Sequence, residues 1–326
     1  MNSDDESSSR RHTARRRRAD LQAQLRVTRE DIERQVRDGR ERFDQVNERI
    51  EARTGRNLFL AIIIGVVLGA GLVASLIFVK VVFVIFATII VGFTAFELAQ
   101  ALRRTGRFVD PVAAAISAVV IIGTAYFIDA PSRGMVLAGG IAFVVVFRLV
   151  AQMASGSTRG VKDIISDLAT AAFIQIYVPW LASFAVVLVA QENGEWWTLG
   201  FIILVVSVDI GAYVAGLSFG KHAMAPMISP NKTWEGFAGA AACSILVGIL
   251  LALFMIGQPW WIGVILGLLI LGSATVGDLT ESMIKRDMGI KDMSSWLPGH
   301  GGFLDRLDSI LPSAAVMFGV YTVVMH

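Results

Sequence analysis

One cysteine in 326 residues, Cys243, excludes a disulfide within the chain, and its setting inside an apolar run gives no hint of a zinc site. Histidine is nearly as scarce, at four residues. No Gly-x-Ser-x-Gly elbow, Walker-type phosphate loop or His-Glu-x-x-His pattern occurs, which removes the usual hydrolase, P-loop and metalloprotease readings. No inverted repeat of the transporter kind is visible. Charged residues form only 17% of the chain against 55% hydrophobic. With a mean hydropathy of +0.63, an ordinary soluble domain is excluded, because the apolar residues arrive in runs of helix-spanning length. The first run begins near Asn57, too late and too long for a secretory signal peptide, so none is expected.

The charge that is present is unevenly spread. Residues 1–57 hold 15 of the 29 lysines and arginines, so the net charge of +2 says little alone. Residues 1–19, Ser-rich and Arg-rich, have little to fold around and are expected to be disordered. Two readings of them stand level: a solvated tail, or an anchor to anionic lipid headgroups. No folded nucleic-acid-binding module accompanies them, so nucleic acid is not an expected partner. Over residues 20–53, Leu25, Ile32, Val36, Phe43, Val46 and Ile50 recur at gaps of seven, four and three. That stripe suits either self-association of two chains or an amphipathic helix lying on the bilayer; Gly39 on the stripe weakens the first.

From Asn57 onward the sequence predicts nine apolar spans, at about 58–79, 81–101, 111–128, 135–150, 164–190, 199–218, 235–256, 260–281 and 309–325. The third and fourth are short. The expected fold is therefore all-α and polytopic: a basic tail and amphipathic helix (1–57), spans one to five (58–190), and a catalytic region (191–326) with loops at 219–234 and 282–308. With the N-terminus in the cytoplasm, the connectors 102–110, 151–163, 219–234 and 282–308 hold eleven lysines and arginines, and the opposite connectors hold only Lys80 and Arg133. The positive-inside rule then places the tail and these loops on the cytoplasmic side of a cell membrane, plasma or inner. Trp196, Trp197, Trp260 and Trp261 read as an aromatic belt at the other boundary. Gly65, Gly69 and Gly71 read as close helix packing. Glu97, ending span two, is expected to pair with Arg103 or Arg104.

Chemistry concentrates in two places. Asp278, Glu281, Ser282 and Lys285 fall on one helical face as span eight leaves the bilayer. A carboxylate in a span is costly, hence a functional candidate by default; the lesser alternative is a salt-bridged pair at a helix end. Asp305 and Asp308 share a face at the start of span nine. Asp278 and Asp305 could meet and hold Mg²⁺ through oxygen ligands with positions left for phosphates. Between them lie Arg286, Lys291, Asp292, His300 and Arg306, with Gly299, Gly301 and Gly302 leaving backbone amides open to a ligand. His300 is read as a loop-ordering hydrogen-bond partner rather than a metal ligand. The second place holds Asp209 and Tyr213, one turn apart in span six, then Lys221 and Ser229-Pro230-Asn231-Lys232-Thr233. There Asn231 or Thr233 can cap span seven and leave amides free for an anion.

The stretch Ser282, Lys285-Arg286, Lys291-Asp292, Ser294, Leu297-Pro298, His300-Gly301-Gly302 and Asp305-Arg306-Leu307-Asp308 resembles, without a gap, the pattern of the phosphatidate cytidylyltransferases (CDP-diacylglycerol synthases). The likeness extends to Asp209-x-x-Ala212-Tyr213, Phe219-Gly220-Lys221 and Ser229-Pro230-x-Lys232-Thr233-x-Glu235-Gly236. It covers roughly residues 200–310 well and leaves the first 57 outside. The resemblance implies a homodimeric membrane enzyme joining CTP to phosphatidic acid, with release of pyrophosphate. It favours Asp278 and Asp305 as metal ligands, with Asp308 next, and implies a second cation such as K⁺ beside Mg²⁺. Lys285, Arg286, Lys291 and Arg306 would neutralise phosphates, and Ser229, Asn231, Lys232 and Thr233 would hold part of the nucleotide. Two rivals stand beside this reading. A CTP-using polyprenol or phytol kinase shares helices, metal and nucleotide but does not need the 282–308 match. A transporter or scaffold explains the spans but not Pro298 to Asp308.

Overall fold

The computed structural model describes residues 58–155, 160–294, 296 and 301–325. The basic tail, the 25–50 stripe and His300 lie outside these residues. The chain forms α1 (Leu58–Phe78), α2 (Lys80–Arg104), α3 (Pro111–Ala125), α4 (Ala130–Ser155) and α5 (Val161–Gln175). A π-helical turn at Ile176–Trp180 carries α5 into α6 (Leu181–Ala190), which is followed by α7 (Gly194–Phe219). Strands β1 (Ala223–Ala225) and β2 (Ser229–Thr233) precede α8 (Trp234–Leu251), which a second π turn extends to Ile256. The chain closes with α9 (Trp260–Asp287), the single turn α10 (Leu304–Leu307) and α11 (Ile310–Met325). Helices dominate because in lipid only internal hydrogen bonds can satisfy the backbone.

Among the described residues, seven helical segments are long and apolar enough to cross a membrane: Lys80–Arg104, Ala130–Ala154, Val161–Ala190, Gly194–Phe219, Trp234–Ile256, Trp260–Asp287 and Leu304–Met325. The expected count of nine is not reached by these criteria. Helix α3 has 15 residues, about 22 Å at ~1.5 Å per residue, short of a ~30 Å hydrocarbon core. It begins where Asp110 Oδ1 accepts the Val112 and Ala113 N–H groups at 3.0 and 2.9 Å and Pro111 takes the first position. It ends at Ala125, because the chain turns before Asp129. The fourth span, expected to be short, is a helix of 26 residues. Pro131 is tolerated in its first turn. Arg133, read as a connector charge, is 5% exposed and lies over the rings of Trp180 and Phe184 at 5.2 and 5.0 Å.

Three other readings are corrected by packing. Trp197 is buried edge-on against Tyr321 at 5.3 Å, while Trp196, Trp260 and Trp261 remain exposed as a belt requires. Among the described residues, a side chain at Gly69 or Gly71 would meet nothing within 4 Å, so packing against these residues does not explain them. A two-stranded antiparallel ribbon, with Ala223 opposite Thr233 and Ala225 opposite Ser229, interrupts an otherwise helical fold. One buried cluster joins Val84, Leu98 and Ala118 to Met293, Leu304 and Leu311. A second joins Leu188, Trp197, Phe201, Leu266 and Met317. The two regions divided at residue 190 thus share a core. Arg148 of α4 and Asp167 of α5, both 2% exposed, form an ion pair at 2.6 Å that hydropathy alone concealed.

Candidate active site

Helix α9 meets the backbone just ahead of α11 where the chemistry begins. A side chain at Gly277 would overlap the Asp308 carbonyl, so glycine permits the approach. One residue on, Asp278 pairs with Lys232 of β2 and accepts the Ser282 hydroxyl at 3.3 Å. Asp308 lies within electrostatic reach of Asp278 and Asp209, and Asp209 within reach of Asp278, Lys232 and Arg306. Three carboxylates from α7, α9 and the start of the last span therefore face one region.

Asp305 belongs to a neighbouring group. Its Oδ1 accepts Lys285 at 2.9 Å, and its Oδ2 accepts the Gly302 and Met293 N–H groups at 2.7 and 3.2 Å. Lys285 also pairs with Glu281, which is 1% exposed. The face predicted on α9 is thus present but divided: Asp278 and Ser282 look to Lys232, and Glu281 and Lys285 look to Asp305. Asp278 and Asp305, read as able to meet around Mg²⁺, are each held by a lysine. Among the described residues no three His, Cys, Asp or Glu side chains form a ready-made metal cluster. Oxygen donors in this number nonetheless fit a hard cation, which commonly takes one or two carboxylates and completes its shell with water and phosphate.

A cleft opens beside this floor, lined by Asp209, Tyr213, Asn231, Lys232, Thr233 and Asp278 among others. The ribbon aims Asn231 and Lys232 into it. Thr233, not Asn231, caps α8, its hydroxyl accepting the Gly236 N–H at 3.1 Å. Ser229 sits half-buried in the same strand. Glu235 turns away, accepting the Lys221 and His222 N–H groups at 3.1 and 3.2 Å and the His222 ring at 2.6 Å. It fastens the turn before the ribbon, and Lys221 is exposed there. Arg286 donates to the Ile228 carbonyl at 3.1 Å, tying the end of α9 to the ribbon. Lys291, Asp292 and Arg306 are exposed at this same end.

The residue that sequence reasoning misplaced is Glu97. It does not pair with Arg103, which faces Asp110 at 3.9 Å. It is 1% exposed and accepts the Leu304 N–H at 2.9 Å and the Ser294 hydroxyl. An acidic residue between Phe96 and Leu98 in a span was the available signal.

With this geometry in place, comparison with known proteins is decisive. Residues 59–324 match the model of the cytidylyltransferase family. The phosphatidate cytidylyltransferase of Mycobacterium bovis is 37% identical over 276 residues, covering 83% of this chain and 90% of that one. The enzyme of the same name from Mycobacterium leprae is 38% identical over 282 residues, covering 83% and 89%. That from Brucella suis is 43% identical over 122 residues, 37% of this chain and 45% of its own. A membrane nucleotidyltransferase is the class these helices and this charged cleft define. The chain belongs to the phosphatidate cytidylyltransferase family.

Proposed function

We propose that the protein transfers the cytidylyl group of CTP to phosphatidic acid, giving CDP-diacylglycerol and pyrophosphate, with Mg²⁺ as cofactor. The observation that carries this reading is the pair of lysine-held carboxylates, Asp278 with Lys232 and Asp305 with Lys285, beside an open cleft at one end of the helices. A phosphate monoester carries about −1.5 to −2 charge near neutral pH, so a lipid phosphate oxygen can attack the α-phosphorus of CTP without a strong base. The bond from that phosphorus to the bridging oxygen breaks, and pyrophosphate departs. The protein's work is then to position two polyanions and relieve their repulsion.

Asp278 and Asp305 would hold the metal, with Asp308 and Asp209 in support. When bound, Mg²⁺ supplies neutralising charge to the triphosphate oxygens. Lys232 and Lys285 would pass from carboxylate to phosphate oxygens as the nucleotide binds. Lys285, Arg286, Lys291 and Arg306 would receive the lipid phosphate and the departing pyrophosphate, and Asn231, Lys232 and Thr233 part of the nucleotide. The cleft would face the cytoplasm, where CTP is found. Self-association through the 25–50 stripe is proposed as well; light scattering of full-length protein against a chain lacking residues 1–55 tests it.

The direct test is pyrophosphate release by purified protein with CTP, phosphatidic acid and Mg²⁺. Release should need both substrates, and Asp278→Asn and Asp305→Asn should each lower kcat by about a hundredfold or more, as loss of a transition-state charge contact does. Release without lipid, CDP as product, or variants as active as the wild type would overturn the assignment.

A further inference from the structure

Glu97 is a buried carboxylate whose donors all come from one distant stretch. The Leu304 N–H donates to Oε2 at 2.9 Å, the Ser294 hydroxyl donates to Oε1, and the Phe303 N–H adds a third bond. A buried carboxylate is costly unless hydrogen-bonded, and a buried N–H without an acceptor is costly too. Carboxylate and loop therefore stabilise each other, although about two hundred residues separate them. The rings of the same helix follow: Phe93 stacks on Phe303 at 5.5 Å and 11°, and Phe96 meets Trp296 at 5.6 Å.

The double glycine of the loop now has a physical account. A side chain at Gly302 would overlap the Glu97 carboxylate, and Gly302 gives its own N–H to Asp305. Gly301 has φ of +82°, and a Cβ there would fall 2.8 Å from Asp305 Oδ2. Asp305 closes Met293 onto Gly302 from within the loop, and Glu97 fixes Ser294 and residues 303–304 to α2 from outside.

We propose that Glu97 is a positioning residue of the reaction. By holding the loop against α2 it sets where Asp305 and Arg306 stand relative to α9, without touching substrate itself. The proposal rests on the cytidylyltransferase reading above. Glu97→Ala should lower kcat by about ten- to hundredfold, the loss of a buried charged acceptor, while the Kd for CTP measured without metal, set by the cleft, stays within about twofold. Glu97→Gln keeps one acceptor but turns an N–H toward a donor, and should fall between. Gly302→Ala should match Glu97→Ala. The double variant should be no worse than the poorer single one, because both act on one contact; independent roles would multiply.

Amide exchange in detergent gives a readout apart from turnover. Peptides covering 293–304 should exchange faster in Glu97→Ala, with those of α8 unchanged. Multiplied losses in the double variant, or unaltered exchange over 293–304, would overturn the proposal. Should Glu97→Ala fail to fold, Ser294→Ala and Gly302→Ala carry the same comparison. A wild type that releases no pyrophosphate would defeat the cytidylyltransferase reading, and the exchange data would still judge the loop contact.

Discussion

Lys232 and Lys285 rest on carboxylates in the same way but in different surroundings, and the difference decides what their replacement reports. Lys285 is 18% exposed and bridges Glu281 at 1% and Asp305 at 7%. Its removal takes the lysine from two buried carboxylates, at a cost of about 3–5 kcal/mol, so lost activity in Lys285→Met would mix folding with chemistry. Lys232 and Asp278 are 26% and 31% exposed, where an ion pair contributes only about 0–1 kcal/mol. Lys232→Ala should therefore melt close to the wild type while kcat/KM for CTP drops by about ten- to hundredfold, an amount typical of a lost charged contact to phosphate. Initial rates set beside thermal unfolding in detergent check both halves. Because the carboxylates have lysine partners of their own, chelation with EDTA should stop pyrophosphate release yet leave the melting midpoint nearly unmoved. A large fall in the midpoint would mean that the cation holds the fold together. The Arg148–Asp167 pair is the opposite case. Asp167 also accepts the Phe108 N–H at 2.8 Å, so Asp167→Asn should cost about 3–5 kcal/mol of stability, read by the same melting assay.

At the scale of elements, α9 and the turn before α11 have little room to adjust where Gly277 meets Asp308. Gly277→Ala would push the Asp308 carbonyl away and cost about 1–3 kcal/mol by overpacking. Activity should fall further than stability suggests, since Asp278 and Asp308 move with those backbones; assays at a temperature where the variant stays folded separate the two. The apolar helices and the face carrying Asp278, Glu281, Ser282 and Lys285 were legible in the sequence, because hydropathy and helical spacing are local properties. What was not legible is what depends on distant partners. Ser229 to Thr233 read as a loop capping span seven, yet its ends pair with Ala223 and Ala225 as a strand. Glu235 follows a helix cap, and its partners lie 13 and 14 residues earlier, where no helical spacing points. The division of the α9 face follows from where Lys232 and Asp305 arrive, and no spacing along α9 records that.

At the scale of the molecule, the topology turns on α3. If its 15 residues cross the bilayer, five spans separate Arg104 from Gln258 and the two lie on opposite sides. If it does not cross, they lie on the same side. In a Cys243→Ser background, Arg104→Cys and Gln258→Cys should react with an impermeant maleimide from opposite faces, Arg104→Cys from the cytoplasm, as the distribution of basic residues requires. Labelling from one face would remove α3 from the count and reverse the orientation of one half. The hydrogen bonds from residues 294 and 304 to Glu97 bear on how such enzymes can be recombined. The motif-bearing C-terminal region is not a transplantable cassette, because its loop is anchored in a helix near the other end of the chain. A chimera joining residues 191–326 to the N-terminal half of a relative should work only where that half supplies a carboxylate at the depth of Glu97.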